Sequence, residues 1–373
     1  MALSAPPQPA ATSREDTPPP PSSGDGGFSA SNLRKRLRRP PSLLMRTKEL
    51  VIEKLLLACG YVSIAAVLLI FIFLFKEGFV ALRMVEDQTN FLYSEQVVYE
   101  YDAVADTTVA VDTRTAFTWQ PVQVDEKEPP KLSIIPLAWA SFGVALISAL
   151  LSTVLGIAVG VYMSEMASRR LRDFIKPALE LLVGIPTVVI GFFMLAVIAV
   201  PVHRLLSGGG SGQGLVPFYN APYNMFIGAV GVSVVIIPVI ASLVDDAMRA
   251  VPQDLRAASL SLGATRWQTT WKVVLPAGVS GVIAAVILGF GRALGETMIV
   301  LMCAGNAPQI TVNPFESVRT MTAAIAAEMG AAQQGSLHSH SLFFVGAILV
   351  TVAFVLNLVV EIVVNRYRKK IRL

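Results

Sequence analysis

Residues 55–75 read LLLACGYVSIAAVLLIFIFLF, 21 consecutive positions without a charge. A bilayer core about 30 Å thick needs about 20 apolar residues of helix to cross it, because only a helix or a closed barrel satisfies every backbone group in lipid. The rest of the chain must therefore be arranged around membrane crossings. Five further apolar stretches follow, within 136–164 and at about 179–202, 223–244, 278–303 and 341–363. With 54% hydrophobic and 15% charged residues, the composition excludes an ordinary soluble globular protein. The reading is an all-α integral membrane protein of six helices.

The net charge is only +4, so the placement of charge says more than its sum. Eight basic residues crowd 33–54, four lie at Arg169, Arg170, Arg172 and Lys176, and others at Arg249, Arg256, Arg266, Lys272 and 366–370. Basic loops mark the cytoplasmic side of a bilayer membrane and report orientation rather than nucleic-acid binding. Both termini are then cytoplasmic, which requires an even number of spans, and six satisfies each basic loop. Between the first and second spans, 76–133 carries eleven acidic residues against five basic ones and alternating runs such as TTVAVDTRTAFTW. It reads as an external insertion with strand character. The expected organisation is a disordered Pro- and Ser-rich tail at 1–32, a basic juxtamembrane segment at 33–54, the first span at 55–75, the insertion at 76–133, a core at 134–365 and a basic tail at 366–373. The tail lacks the apolar run of a signal peptide. The Gly-rich 207–214 reads as a flexible outer loop, since it lacks the Gly-Lys-Ser/Thr ending of a phosphate cradle.

The sharpest chemical signal lies in 252–306. Its second half is apolar except for Arg292 and Glu296, which stand four apart and on a continuous helix would share a face. A charge near the middle of a span costs on the order of 3 kcal/mol, so such residues face protein or an aqueous path rather than lipid. Two readings are open. The pair locks helices together, or Arg292 attracts an anion while Glu296 keeps the site from becoming a permanent trap. Pro186, Pro238, Gly289, Gly291 and Gly295 imply broken or closely packed helices near the bundle axis, where transporters bind substrate. Pro186 and Thr187 offer a freed carbonyl and a hydroxyl, or an ordinary proline kink. The first half of 252–306 is too polar for lipid: Ala257, Ala258 and Ser259 spaced on a helix, Gly263 to stop it, and Val273, Leu275 and Pro276 leading into the next span.

That layout resembles the cytoplasmic loop of ABC importer permeases, whose motif reads Glu-Ala-Ala, three residues, Gly, nine residues, then Ile-x-Leu-Pro. Here the matching positions are Ala257, Ala258, Ser259, Gly263, Val273, Leu275 and Pro276, with Ala257 in place of the motif glutamate; a neighbour such as Asp254 or Arg256 is left to replace its ionic contact. GRALGETM at 291–298, AGN at 304–306 and ELLVGIPTVVIG at 180–191 look like the phosphate importer permeases, PstC-type. The resemblance covers about 133–365. It implies the type I permease fold, a substrate pathway at Arg292, Glu296 and Thr297 with Pro186 and Thr187 beside it, and an ATPase-coupling loop at 245–276 that includes Arg266. It also implies a companion PstA-type permease, ATP-binding subunits, an external phosphate-binding protein and inorganic phosphate as solute.

The chain carries no Gly-x-x-x-x-Gly-Lys-Ser/Thr loop, so ATP hydrolysis is expected on a partner, and no cofactor is expected. Cys59 and Cys303 sit near opposite ends of spans and are not expected to form a disulfide. His203, His338 and His340 are assigned to external loops, and His338 and His340 lack companions for a metal site. Alternatives at this stage are import of another oxyanion such as sulfate or molybdate, an ion-coupled carrier, and a membrane scaffold.

Overall fold

The computed structural model describes residues 43–85, 91–102, 107–121, 130–207, 216, 219 and 221–371. The tail at 1–32, the first part of the 33–54 segment and the glycine run at 208–214 lie outside the described residues. Among them, six helices are long and apolar enough to cross a membrane: Glu49–Met84, Ile135–Met166, Thr187–Ser207, Met225–Arg249, Arg266–Leu294 and Leu337–Ile362.

The chain divides into two compact units, Met1–Val67 and Leu68–Leu373. Helix α1, Leu43–Met84, contains the uncharged 55–75 run and extends it at both ends, since no proline interrupts its 42 residues. At about 1.5 Å per residue it is longer than a bilayer core is thick. The described part of the first unit is the N-terminal portion of α1.

The second unit is organised on α6, Met225–Arg249, the most buried of the spans. Asn224 caps it, its Oδ1 accepting from the Ile227 N–H at 3.0 Å. Small residues on the flanking helices let backbones approach it closely. On α2, Ile135–Val161, a Cβ at Gly156 would stand 2.8 Å from Ile240, and one at Gly160 would stand 2.7 Å from the Ala241 carbonyl. On the other side, Gly289 of α9, Leu275–Leu294, meets the same Ile240. Pro238 lies inside α6 without ending it, so of the prolines and glycines expected to break helices this one does not.

Two spans differ from their expected extents. The stretch 179–202 is cut at Pro186, which fixes φ and drives Ile185 to an extended conformation (φ −67°, ψ 128°). Residues 179–184 therefore close α3, Arg169–Gly184, while the crossing consists of α4, Thr187–Phe193, a π-helical turn Met194–Ala199, and α5, Val200–Ser207. The stretch 278–303 is cut as well: α9 ends at Leu294, and a separate short helix α10, Met298–Cys303, follows.

Between the first two spans, β1 (Ser94–Asp102) and β2 (Thr107–Ala116) form an antiparallel pair with a bulge at Val98/Tyr99, and β3 (Trp119–Gln120) pairs with β4 (Lys131–Leu132). Trp119 and Leu132 are buried with Phe91, Ala81, Leu342 and Val345 in a core separate from the one around α6. After α10 the chain turns at Gly305 (φ 92°) and Asn306 (φ 59°). A side chain at Gly305 would collide with Ser317 and the Tyr223 carbonyl. The turn leads to α11, Met321–Glu328, whose first four residues are buried, and to α12, Leu337–Ile371. The histidines are not in loops. His203 lies in α5, and His338 and His340 open α12, within 3.0 Å of Glu328 and 3.3 Å of Glu77 respectively. Both cysteines are free.

Candidate functional site: two helix breaks and a polar segment

Arg292 occupies the last turn of α9, where a cation complements the helix dipole. Gly295 closes the helix (φ −85°, ψ −3°), Glu296 lies outside regular structure with its N–H donating to the Ala293 carbonyl at 3.2 Å, and Thr297 precedes α10. The four-residue spacing of Arg292 and Glu296 therefore does not put them on one continuous helical face. No ion pair joins them among the described residues. Arg292 is exposed and has no partner among the described residues, while Glu296 is half-buried and its backbone carbonyl accepts from the Thr322 hydroxyl at 2.8 Å. Thr297 turns its hydroxyl to the Gly295 carbonyl at 3.3 Å.

The second break comes at Ile185–Pro186. Pro186 does not present a free carbonyl: it begins α4, its oxygen accepting from Val189 at 2.9 Å and Ile190 at 3.4 Å. Thr187 is half-buried, and its hydroxyl bonds none of the described residues. Gly191 packs α4 on α10: a Cβ there would stand 3.3 Å from Ile299, and Cys303 Sγ donates to the Gly191 carbonyl at 3.4 Å. Each break precedes this contact by about one turn. The structure thus brings together the segments bearing Thr187 and Glu296–Thr297, with Arg292 one turn earlier on α9.

The polar segment folds as the sequence spacing requires. Ala257, Ala258 and Ser259 lie on α7, Gln253–Ser261, and Gly263 ends it in the left-handed region (φ 83°). Arg266 opens α8, Arg266–Thr269, under a reciprocal cap in which Thr265 Oγ1 accepts from the Gln268 N–H and Gln268 Oε1 accepts from the Thr265 N–H. A π-helical turn, Thr270–Val274, carries the chain into α9 at Leu275 and Pro276. Leu262 is 90% exposed, and Leu255, Leu260, Trp267 and Trp271 are also exposed, an apolar patch on a polar segment. Arg256 does not stand in for the absent glutamate on this surface. Its guanidinium is turned inward onto Glu165, Nη2 to Oε1 at 2.8 Å.

Three acidic residues that sequence reasoning passed over organise the unit. Glu165 binds Arg256. Asp245, with its side chain fully buried, accepts from Arg172 at 2.9 Å and Arg249 at 3.2 Å and lies 3.6 Å from Lys176, tying α3 to α6. Glu328 accepts from Trp119 Nε1 at 2.9 Å, from Arg319, and pairs with His338, joining β3 to α11 and α12. Glu165 and Asp245 each stand at the end of an apolar run beside a basic loop, which was the available signal.

Six apolar spans, two interrupted opposite one another, with a polar helix–turn–helix segment between α6 and α9, define a membrane transport component. Residues 152–373 match the family of binding-protein-dependent transport system inner membrane components, and the chain belongs to that family and its type I permease fold. It is 36% identical over 256 residues to a probable ABC transporter permease protein, YqgH, of Bacillus subtilis, covering 69% of this chain and 78% of that one. It is 32% identical over 252 residues to the phosphate transport system permease protein PstC of Mesorhizobium japonicum, covering 65% and 74%. The MetNI methionine ABC transporter, in an inward-facing conformation, superimposes with a TM-score of 0.48 at 18% identity, over 62% of this chain and 95% of that one.

Proposed function

We propose that the chain is the PstC-type permease subunit of an ATP-driven inorganic phosphate importer. The observation that carries this reading is Arg292: an exposed, unpaired guanidinium in an apolar span beside a helix break. Left against lipid it would cost on the order of 3 kcal/mol, so its face belongs to an aqueous path closed by a second permease. Phosphate is the solute because a planar guanidinium matches a tetrahedral oxyanion bidentately and because relatives at about 30% identity are named phosphate permeases. Glu296, Thr297, Thr187 and Pro186 flank that path. The absence of an Arg292–Glu296 bond leaves the arginine free for a passing anion.

The companion is a PstA-type permease. ATP-binding subunits grip the coupling segment 245–276 through Ala257, Ala258, Ser259, Gly263 and Arg266, with the exposed leucines and tryptophans around them, and Leu275 and Pro276 lead the motion into α9. Both termini and this segment are cytoplasmic, on the evidence of their basic residues. An external phosphate-binding protein delivers solute from the side of the 76–133 insertion. The relative YqgH carries no solute in its name, so a different oxyanion is the reading to be tested against phosphate.

The test is uptake of radiolabelled phosphate by cells lacking the native chain and supplied with wild type, Arg292→Ala or Arg292→Lys, with sulfate as competitor and ATP varied. ATP-dependent uptake that ignores sulfate, is lost in Arg292→Ala and falls in Arg292→Lys with assembly intact is expected. Uptake by wild type that sulfate blocks changes the solute. Uptake that persists without ATP places the chain among carriers.

A further inference from the structure

The coupling helix α7 is not a free lever. Arg256 sends Nη2 to Glu165 Oε1 at 2.8 Å and to the Met248 carbonyl at 2.7 Å, Nη1 to the Val251 carbonyl at 2.6 Å, and Nε to Glu165 Oε2 at 3.3 Å. Its side chain is 13% exposed and that of Glu165 10%. Glu165 belongs to the π-helical turn Tyr162–Met166 at the end of α2, and Met248 and Val251 to the end of α6 and the turn after it. One guanidinium thus joins three elements whose residues are up to 91 positions apart. Ser259 and Thr269 hydroxyls, 2.9 Å apart, add a tie from α7 to α8.

We infer that Arg256 and Glu165 are positioning residues that make α7 one rigid body with the ends of α2 and α6, so that force from the ATP-binding subunits enters the second span through this pair. Covalent continuity alone would deliver it to α6 and, through α8, to α9, and to α2 only by way of the α2–α6 packing at Gly156 and Gly160. Arginine is required because its fork of donors serves a carboxylate and two carbonyls at once, whereas a lysine ammonium is a single point. The inference rests on the proposed ATP-driven reading but not on the solute.

The experiment uses the assembled transporter, with Cys59 and Cys303 replaced by alanine and spin labels at Gln253→Cys on α7, outside the residues proposed to be gripped, and Tyr162→Cys at the end of α2, both exposed positions. Wild type should give one narrow distance distribution that stays within about 2 Å between the nucleotide-free and ATP–vanadate states. Arg256→Lys, and independently Glu165→Gln, should broaden it and lower solute uptake per ATP hydrolysed on the order of tenfold in complexes that still assemble. A wild-type distance that changes by a helix turn, about 5 Å, between the two states overturns the rigid body. So does an unchanged distance and coupling ratio in both variants. Absence of phosphate uptake by wild type speaks against the solute and leaves the distance readout intact.

Discussion

Gly156 and Gly160 stand where α2 crosses α6, and neither has room for a side chain. Gly156→Leu must push Ile240 and the backbone behind it, and overpacking of this kind costs about 1–3 kcal/mol. The expected outcome is a lower thermal midpoint for the detergent-solubilised protein, with Gly60→Leu, which has open space around it, as the silent control. At this scale the sequence was legible where a residue's role is local. Gly263 ends a helix because of its own φ, as its place after Ala257, Ala258 and Ser259 predicts. It was illegible where the partner is distant. Glu165 and Arg256 are 91 positions apart, and no period or spacing links them. For Arg292 and Glu296 it is the shared helical face that does not hold: a four-residue spacing has meaning only on an unbroken helix, and Gly295 ends this one.

Among the elements, α3 is held chiefly by charge. It is amphipathic, none of its residues is buried, and its ties to α6 are Arg172 and Lys176 on Asp245, with Lys176 also 3.2 Å from Asp246. Asp245→Ala leaves Arg172 and Arg249 without their carboxylate, while Lys176 keeps Asp246. The partners are 20–45% exposed, so water moderates the loss to about 1–3 kcal/mol rather than the larger figure for a sealed pair. Limited trypsinolysis should then cut at Arg169 and Arg170 faster than in wild type, with cleavage elsewhere unchanged. The apolar runs announced all six spans, those within 136–164 and at 223–244 and 341–363 to within about a turn and a half, because membrane length is a constraint that composition obeys directly. The first helix, by contrast, runs beyond 55–75 at both ends, and the fifth ends at Leu294 rather than at 303. The third was displaced since Pro186, read as a kink within a span, is instead its start. The short helices α10 and α11 owe their ends to the Gly305–Asn306 turn and the Thr320 cap, whose contacts with Tyr223, Ser317 and Val318 come from tertiary structure.

For the whole molecule, the apolar surface left open on α4 matters most. Val188, Val189, Phe192 and Phe193 are 46–61% exposed on a span next to the Arg292 break. Lipid alone would suit these four side chains but not the arginine, so on the proposed function the companion permease is expected to cover the face. A maleimide probe at Phe192→Cys should label readily when the chain is expressed alone and much more slowly when the companion permease is co-expressed. Equal labelling in the two cases would place this face in lipid. Membership of the family was legible from the polar segment and the motifs around Arg292, but what fills the pathway is a property of two chains and is written in neither alone.

The exposed Arg292 also bears on how much of this protein a cell holds. An uncovered guanidinium in the last turn of a span lowers the stability of membrane insertion by up to about 3 kcal/mol, the figure for the middle of a span, or up to a factor of roughly 100 in the equilibrium between inserted and extruded helix. A copy synthesised without its companion carries that penalty until it finds one, and is the copy that quality-control proteases meet. On the proposed function, surplus chains are then expected to be removed and paired ones to persist, which would set subunit stoichiometry after translation.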